Sequence, residues 1–270
     1  MVTGMDGSRV ATPSVSMLEM SDLISIERRG HVLIVDLCRE QKRNAIDRAM
    51  ADALSEALDH LDDDDDLWAG VLSGAPGIFS AGSDLTAGGD YLTERGGEYG
   101  IIRRRRAKPL VAAVDGPALG GGLEIVLACD MVVASTRATF GLPEVRIGVV
   151  PTCAGLFRAP RALAPNLARE LILTGRPFDA RRAETVGLVN RVVGPGEARD
   201  AAIELAAQIC ENAPLSVQAC LAAVNDLLAV DDDAGWAITQ SAQTAIAASE
   251  DVREGVASFL EKRPPIWRAR

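Results

Sequence analysis

The sequence predicts an α/β protein whose strand-rich first part is followed by a helical C-terminal region. Apolar strand patterns alternate with short helical patterns over residues 23–150. Ala-rich helical patterns dominate from about residue 151. Hydrophobic residues make up 48% of the 270 positions and aromatic ones only 4%, so aliphatic side chains must form most of the core. We expect a disordered tail over 1–20, an α/β core over 21–195 and a helical region over 196–270.

The first elements are a hairpin and an amphipathic helix. Residues 23–37 read as two strands around an Arg-Gly turn, because apolar residues alternate in each half. Residues 44–61 have apolar positions at helical spacing. We expect this helix to end near Leu61, because the acidic run at 62–66 opposes the helix dipole. That run is interpreted as a solvated loop rather than a metal site.

The next part of the chain alternates between strands, a Gly-rich segment and a short helix. The predicted elements are strands at 67–74 and 109–116, a helix at 121–129, and strands at 130–135 and 138–145. The Gly-rich segment 86–100 is expected to form a mobile flap. The four arginines at 103–106 are read as one helical turn that is solvated or paired with Glu94 and Glu98.

The C-terminal half is predicted to be mainly helical. Its helices are expected at 153–163, 165–174, 179–186, 197–212, 214–230, 234–248 and 250–262, with one strand at 188–193. The many alanines favour close helix packing on the body of the chain or on a neighbouring subunit.

Net charge and cysteine content argue against several classes of function for this protein. A net charge of −10 argues against nucleic-acid binding, which needs a basic surface. Five cysteines without CxxC spacing, and two histidines, argue against a metal site and predict reduced thiols in a cytoplasmic protein. No apolar run of about 18 residues predicts a membrane span.

A run of three glycines, at 120–122, precedes a predicted helix. Glycine lets a backbone N–H approach a ligand closely, and a helix N-terminus favours negative charge, so this turn can stabilise an oxyanion. The turn at 81–83 is a candidate for a second N–H donor. Tight strand-to-helix turns use the same glycines without any such function.

Two acids stand near these turns. Glu124 is either a first-turn acid that the helix dipole stabilises or a buried functional carboxylate. Glu144 follows a proline. It is either an acid of a surface turn or a functional carboxylate. Their spacing of 20 residues does not show that they meet.

Several segments together resemble the enoyl-CoA hydratase/isomerase, or crotonase, superfamily, and the hydratases within it most closely. They are EQKRNAID (40–47), FSAGSDL (79–85), VAAVDGPALGGGLEIVLACDMVVAS (111–135), ATFGLPEVRIGVVP (138–151) and FLEKRPPIW (259–267). The resemblance covers about residues 22–267. It implies a crotonase (ClpP-like) spiral of ββα units with a C-terminal helical trimerisation region, and a homotrimer or homohexamer.

The resemblance also implies a reaction, the reversible hydration of a 2-enoyl-CoA. The N–H groups of Ser83 and Gly121 would bind the thioester oxygen, and the side chain at 83 would not be required. Glu144 would deliver a proton to carbon 2, and Glu124 would deprotonate the water that attacks carbon 3. Coenzyme A is part of the substrate, and no cofactor is implied.

The same resemblance implies which residues bind acyl-CoA. It also implies that a lysine of one subunit reaches the CoA bound to the next. The expected binding residues are Lys42, Arg43, Asn44, Ala45, Ala81, Gly82, Asp84, Leu85, Gly120, Thr152 and Lys262. For the cations among them, a plain solvated charge is the alternative. At 152–155 this chain has TCAG where the family usually has GxGG. Because of this difference, the resemblance does not identify the acyl group of the substrate. Alternative functions are a double-bond isomerase, another crotonase reaction such as dehalogenation, decarboxylation or ring formation, and a non-catalytic acyl-CoA-binding protein.

Overall fold

The computed structural model describes residues 15–20, 22–75, 77–89 and 91–269, and it confirms the mixed α/β architecture. Its strands are β1 (Val15–Met20), β2 (Ile24–Arg29), β3 (Val32–Leu37), β4 (Ala69–Ser73), β5 (Leu92–Thr93), β6 (Gly97–Glu98), β7 (Leu110–Val114), β8 (Pro117–Leu119), β9 (Met131–Ser135), β10 (Thr139–Gly141), β11 (Phe178–Asp179) and β12 (Arg191–Val193).

Helices surround these strands and dominate the second half of the chain. They are α1 (Arg48–Asp63), α2 (Gly121–Leu127), α3 (Gly155–Ala162), α4 (Pro165–Thr174), α5 (Ala180–Thr185), α6 (Ala198–Cys210), α7 (Pro214–Leu228), α8 (Asp232–Ala247) and α9 (Glu250–Glu261). Two short 3₁₀ helices, Glu40–Lys42 and Glu144–Ile147, complete the list for the described ranges.

The central sheet has the order β1-β2-β3-β4-β7-β9-β12. Its first three strands are antiparallel, whereas β3, β4, β7, β9 and β12 run parallel to one another. Every residue of β4 and β7 is buried, as expected for parallel strands covered on both faces. A smaller sheet, β11-β10-β8, places the ends of β8 and β10 side by side. This pairing brings the segments that follow these two strands together.

The predicted hairpin and first helix are present. β2 pairs with β3 from Arg29 opposite Val32, and Gly30 at φ 60° provides the tight turn. Helix α1 continues to Asp63, beyond the expected end at Leu61. An arginine pairs with an acid in this last turn, Arg95 with Asp63 at 2.8 Å, so the acids there do not end the helix.

The prediction of a disordered tail over 1–20 is wrong for residues 15–20. Val15–Met20 forms β1 and pairs antiparallel with β2, so backbone hydrogen bonds of the sheet order it. The remainder of that prediction, residues 1–14, lies outside the described residues.

Helix α6 belongs to the α/β body, although the sequence analysis assigned residues 196–270 to a separate helical region. It packs on β3, β4, β7 and β9. Ala201, Ala202 and Ala206 form a core with the sheet residues Val71 and Val111. Small alanine side chains let the helix approach the sheet closely, which ties this segment to the body.

Helices α7 to α9 follow the body and leave much apolar surface uncovered. Helix α8 packs on α3, and α9 packs on the 3₁₀ helix Glu144–Ile147. Helix α7 buries none of its residues. The large exposed apolar residues from α7 to the end of the described chain are Leu215, Val224, Leu227, Leu228, Val230, Ile238, Phe259, Leu260, Ile266 and Trp267. None of the helices described has the length and apolarity needed to cross a bilayer.

The arginine run at 103–106 is not a helical turn. Arg103 and Arg105 are exposed, whereas Arg104 and Arg106 are buried. Arg104 bonds to Ser55 and to acids of α1, and Arg106 bonds to Asp130. The expected pairing with Glu98 is found for Arg103. Two of the four charges therefore anchor the chain inside the fold instead of facing water.

Replacing Arg104 with Met should destabilise the protein by about 3–5 kcal/mol, because the acids and carbonyls that it bonds lose their buried partner. Urea unfolding measured by circular dichroism tests this expectation. Arg105→Met is the matched control, and a change within about 0.5 kcal/mol is expected at this exposed position. Equal midpoints for the two variants would show that the Arg104 network is not needed for stability.

Candidate active site

The glycine turn before α2 brings backbone into close contact with its surroundings. Gly120 has φ 56°, and α2 begins at Gly121. A Cβ at Gly121 would overlap the hydroxyl of Tyr99, and a Cβ at Gly122 would overlap the carbonyl of Ser80. As the first helical residue, Gly121 has an N–H without an intrahelical acceptor.

The turn at 81–83 lies directly against this glycine turn. The Ile46 N–H donates to the Gly82 carbonyl, and the Asp84 N–H donates to the Ile46 carbonyl, both at 2.8 Å. In this parallel bridge the N–H of Ser83 points away from Ile46. A Cβ at Gly82, whose φ is 87°, would lie 2.6 Å from the Gly121 nitrogen. The two turns are therefore in backbone contact.

The N–H groups of Ser83 and Gly121 are available to a ligand. No acceptor in the described parts of the chain is bonded to either group. The structure thus brings together the two residues that the sequence analysis named as oxyanion donors. Two unpaired amide donors in adjoining turns can stabilise a developing negative charge on one oxygen.

Glu124, on the first turn of α2, is buried with 2% exposure. Its Oε1 accepts hydrogen bonds from the N–H groups of Cys153 and Gly155, each at 2.8 Å. Burial raises the pKa of Glu124 to about 7, and these two hydrogen bonds oppose the increase. The turn at 152–155, which departs from the usual glycine pattern, therefore still supplies two donors to the carboxylate.

Glu144 stands beside the same glycine turn. A Cβ at Gly120 would lie 3.2 Å from the Glu144 Oε1. Its Oε2 is buried and has no hydrogen-bond partner among the described residues. Burial, and then the negative charge of Glu124, raise the pKa of Glu144 to about 8. The two carboxyls are thus near enough to interact.

The turn that carries Glu144 is supported by the C-terminal helices. A Cβ at Gly255 of α9 would overlap the Ile147 carbonyl, and one at Gly148 would overlap the Asp251 carbonyl. On the other side, the stem of Arg146 lies against Gly175 at the end of α4. Close backbone packing on both sides fixes this short 3₁₀ helix.

Tyr99 is a site residue that the sequence analysis missed. Its hydroxyl lies 2.7 Å from the Ser83 Oγ, so the side chain at 83 has a partner. The Tyr99 ring is 1% exposed and lies 4.7 Å, between centroids, from that of Tyr91. The only sequence signal was that both tyrosines of the chain occur in the Gly-rich segment.

The mobile flap expected at 86–100 is wrong for its second half. Residues 96–100 are buried. Gly100 packs so tightly on α1 that a Cβ there would lie 2.5 Å from the Ala51 carbonyl. Glycine here permits close packing on a helix instead of looseness, which composition alone does not reveal.

The segment around Asn44 runs beside the turn at 81–83. The Asn44 side chain is fully buried and donates to the Phe79 carbonyl at 3.0 Å. The Asn44 carbonyl accepts from the Ser80 hydroxyl at 2.8 Å, and the Ala81 N–H donates to the Arg43 carbonyl at 3.0 Å. The backbone at 43–44 is therefore held against the turn at 81–83.

The other predicted CoA-binding residues divide into exposed and internally bonded groups. Lys42, Arg43 and Leu85 are exposed. Asp84 is buried, and its carboxylate pairs with Arg39 at 3.0 Å inside the fold.

The remaining two predicted residues are Thr152 and Lys262. Thr152 lies beside the buried Cys153. Lys262 caps α9 in an exposed position, and no hydrogen bond or ion pair within the described chain joins its side chain to the other site residues. No cluster of three His, Cys, Asp or Glu suited to a metal ion occurs in the described ranges.

Known proteins are similar in sequence to this chain over nearly its full length. The profile of the enoyl-CoA hydratase/isomerase family matches residues 27–270. Enoyl-CoA hydratase EchA19 of Mycobacterium tuberculosis is 38% identical over 91% of this chain and 96% of its own. Carnitinyl-CoA dehydratase of Salmonella paratyphi A is 36% identical over 93% of this chain and 100% of its own.

A solved structure confirms the expected crotonase fold. Carnitinyl-CoA hydratase of Mycobacterium avium superposes with a TM-score of 0.87 at 38% identity, covering 93% of this chain and 100% of its own. These relatives are thus named as hydratases or dehydratases of enoyl-CoA or carnitinyl-CoA.

The raised pKa values predict how stability depends on pH. In the range between the ordinary carboxyl pKa and about 8, the folded protein binds protons at Glu144 that the unfolded chain has released. Stability contributed by this site therefore falls as pH rises from about 5 to 8. Glu144→Gln should gain at least about 1 kcal/mol relative to the wild type over this interval.

Urea midpoints at pH 5.5 and 8 measure this difference. Glu56→Gln, at an exposed position of α1, is the control and should shift by the same amount at both pH values. A Glu144→Gln difference that stays constant with pH would contradict the raised pKa.

Proposed function

Because the chain belongs to the enoyl-CoA hydratase/isomerase family, we propose that it catalyses the reversible addition of water to a 2-enoyl-CoA thioester. One observation carries the proposal. The carboxyls of Glu124, which is buried, and Glu144, which is half-buried with a buried Oε2, have raised pKa values. Both lie beside two unpaired amide donors, those of Ser83 and Gly121. This arrangement would supply an acid–base pair and an oxyanion site next to each other.

The amide donors would polarise the substrate. The carbon 3 of an enoyl thioester is a weak electrophile, and water adds only if negative charge can accumulate on the thioester oxygen. Hydrogen bonds from the N–H groups of Ser83 and Gly121 would stabilise that charge in the transition state. Loss of one such donor typically lowers a rate by about 10²–10³.

The two carboxyls differ in a way that suits opposite roles. Glu124 accepts two N–H hydrogen bonds, which favour its carboxylate form, so it would take a proton from the attacking water. Glu144 has a buried oxygen without a donor and the higher pKa, so it would hold the proton that carbon 2 receives. The water oxygen bonds to carbon 3, and the reverse reaction eliminates it.

Coenzyme A would enter as part of the substrate. The backbone at 43–44 contacts the turn at 81–83. Lys42 and Arg43 are exposed there and would pair with CoA phosphates. Lys262 would act on the CoA of an adjacent subunit. No metal or redox cofactor takes part in this proposal.

The identity of the acyl group is the part of the substrate that an experiment must choose. The names of the relatives, enoyl-CoA hydratase and carnitinyl-CoA dehydratase, describe water addition and water removal on different acyl groups. A panel of thioesters that includes crotonyl-CoA, longer enoyl-CoAs and carnitinyl-CoA separates these choices by kcat/KM. Absorbance of the conjugated thioester reports the reaction in both directions.

Assembly into a trimer or hexamer is part of the same proposal. Large apolar side chains are exposed from α7 to the end of the described chain, and apolar surface of this kind often marks a contact between proteins. A neighbouring copy would cover them and would bring Lys262 toward a second site.

Glu144→Gln and Glu124→Gln should each lower hydration of the best thioester in the panel by about 10²–10⁴, because each removes one acid or base. Initial rates and the equilibrium binding of a saturated acyl-CoA should be measured together, and binding should remain. Glu56→Gln is the control. Hydration by Glu144→Gln at the wild-type rate would refute its role. Conversion of a 3-enoyl-CoA to a 2-enoyl-CoA without hydration would indicate an isomerase, and binding without any turnover would indicate a non-catalytic protein.

Light scattering after size exclusion should give a mass of three or six chains for the wild type. Leu227→Asp places a charge on the apolar surface of α7 and should reduce that mass. Asp226→Asn, at the adjacent exposed position, is the control and should not. A monomeric wild type would contradict the assembly proposal.

A further inference from the structure

We propose that Tyr99 is a positioning residue that holds the two amide donors, Ser83 and Gly121, in the arrangement that binds the thioester oxygen. The inference rests on the proposed function, since it assigns a role within the same oxyanion site. Tyr99 belongs to the Gly-rich segment, which the sequence analysis expected to be a mobile flap.

The first observation is the hydrogen bond between Tyr99 and Ser83. The tyrosine hydroxyl and the serine Oγ are 2.7 Å apart, and Tyr99 is buried. The turn that carries Ser83 follows Gly82 at φ 87°, and the bridge to Ile46 secures it from one side. The Tyr99 hydroxyl secures the Ser83 side chain and so limits rotation of the peptide that presents the N–H.

The second observation is the contact with the other donor. The Tyr99 hydroxyl and ring carbons occupy the position where a Cβ at Gly121 would be. The tyrosine therefore packs on the Cα of the residue that begins α2. One side chain touches both donor residues, although they lie 38 positions apart in the sequence.

The third observation connects the hydroxyl with the loop that holds Glu124. Burial, and then the nearby Cys153 and Glu124, raise the pKa of Tyr99 well above its usual range. The tyrosine is therefore a neutral hydroxyl at neutral pH. The backbone N–H of Cys153 is one of the two donors to Glu124.

The tyrosine is itself held firmly, as a positioning residue must be. Its N–H donates to the Tyr91 carbonyl at 2.9 Å, and the two rings are in contact. The preceding residue, Glu98, accepts hydrogen bonds from Arg103, and the following residue, Gly100, packs on α1. The hydroxyl is thus fixed relative to the body of the fold and not only to the site.

Tyr99→Phe, Ser83→Ala and the double variant test the proposal. Phenylalanine keeps the ring over Gly121 and removes only the hydroxyl, and alanine removes the same hydrogen bond from the other partner. We expect each single variant to lower kcat about tenfold, the equivalent of one hydrogen bond, with KM changed less than about twofold. The double variant should lose about tenfold, not about a hundredfold, because both changes remove one interaction.

A spectroscopic measurement separates positioning from a general loss of structure. The probe is 4-dimethylaminocinnamoyl-CoA, whose absorption moves to longer wavelength when hydrogen bonds draw electron density onto the thioester oxygen. Bound to the wild type at saturation, it should show this red shift, and Tyr99→Phe and Ser83→Ala should reduce the shift while binding persists. Thr174→Val, at an exposed position of α4, should leave shift and kcat unchanged.

The outcomes distinguish this inference from the proposed function. A wild-type red shift without hydration of any thioester would refute the hydratase proposal, and the size of the shift in the variants would still decide the role of Tyr99. A full red shift and full kcat in Tyr99→Phe would overturn the inference while the hydratase proposal stands. A probe that binds the wild type without any red shift would overturn both.

Discussion

The arrangement of this site depends on the backbone contact between two turns, one at 81–83 and one at 120–122. A Cβ at Gly82 would lie 2.6 Å from the Gly121 nitrogen, so the contact exists only because side chains are missing there. The parallel pairing of β8 with β10 and the bridge between Ser80 and Ala118 bring the turns together. The two turns thus place two unpaired backbone amides, those of Ser83 and Gly121, in neighbouring positions.

Burying the carboxyls of Glu124 and Glu144 costs free energy. The fold offsets this cost more fully for Glu124 than for Glu144. Glu124 lies at the start of α2 and receives two N–H donors from the turn before α3. Glu144 receives no donor at its buried Oε2 and sits on a 3₁₀ helix held between α4 and α9. The two hydrogen bonds favour the charged form of Glu124, and the buried Oε2 of Glu144 has no such support among the described residues.

Elements far apart in the chain therefore meet at one place, and each is anchored by its own packing. The Gly-rich segment reaches the site through Tyr99 and is tied to α1 by buried arginine networks. The C-terminal helices support the Glu144 turn and leave apolar surface on their outer side. The same helices thus support the Glu144 turn and carry exposed apolar side chains.

The sequence by itself determined the order and type of the elements, because hydrophobic periodicity and helix propensity are local properties. The hairpin, the buried parallel strands and the C-terminal helices are all visible in it, and motif resemblance pointed to Ser83, Gly121, Glu124 and Glu144. Only the tertiary structure decided which of these residues meet. Tyr99 joins the site, Asp84 turns away to Arg39, β1 orders part of the expected tail, and α6 joins the sheet. These outcomes depend on contacts between residues distant in sequence, and neither composition nor spacing encodes such contacts in a readable pattern.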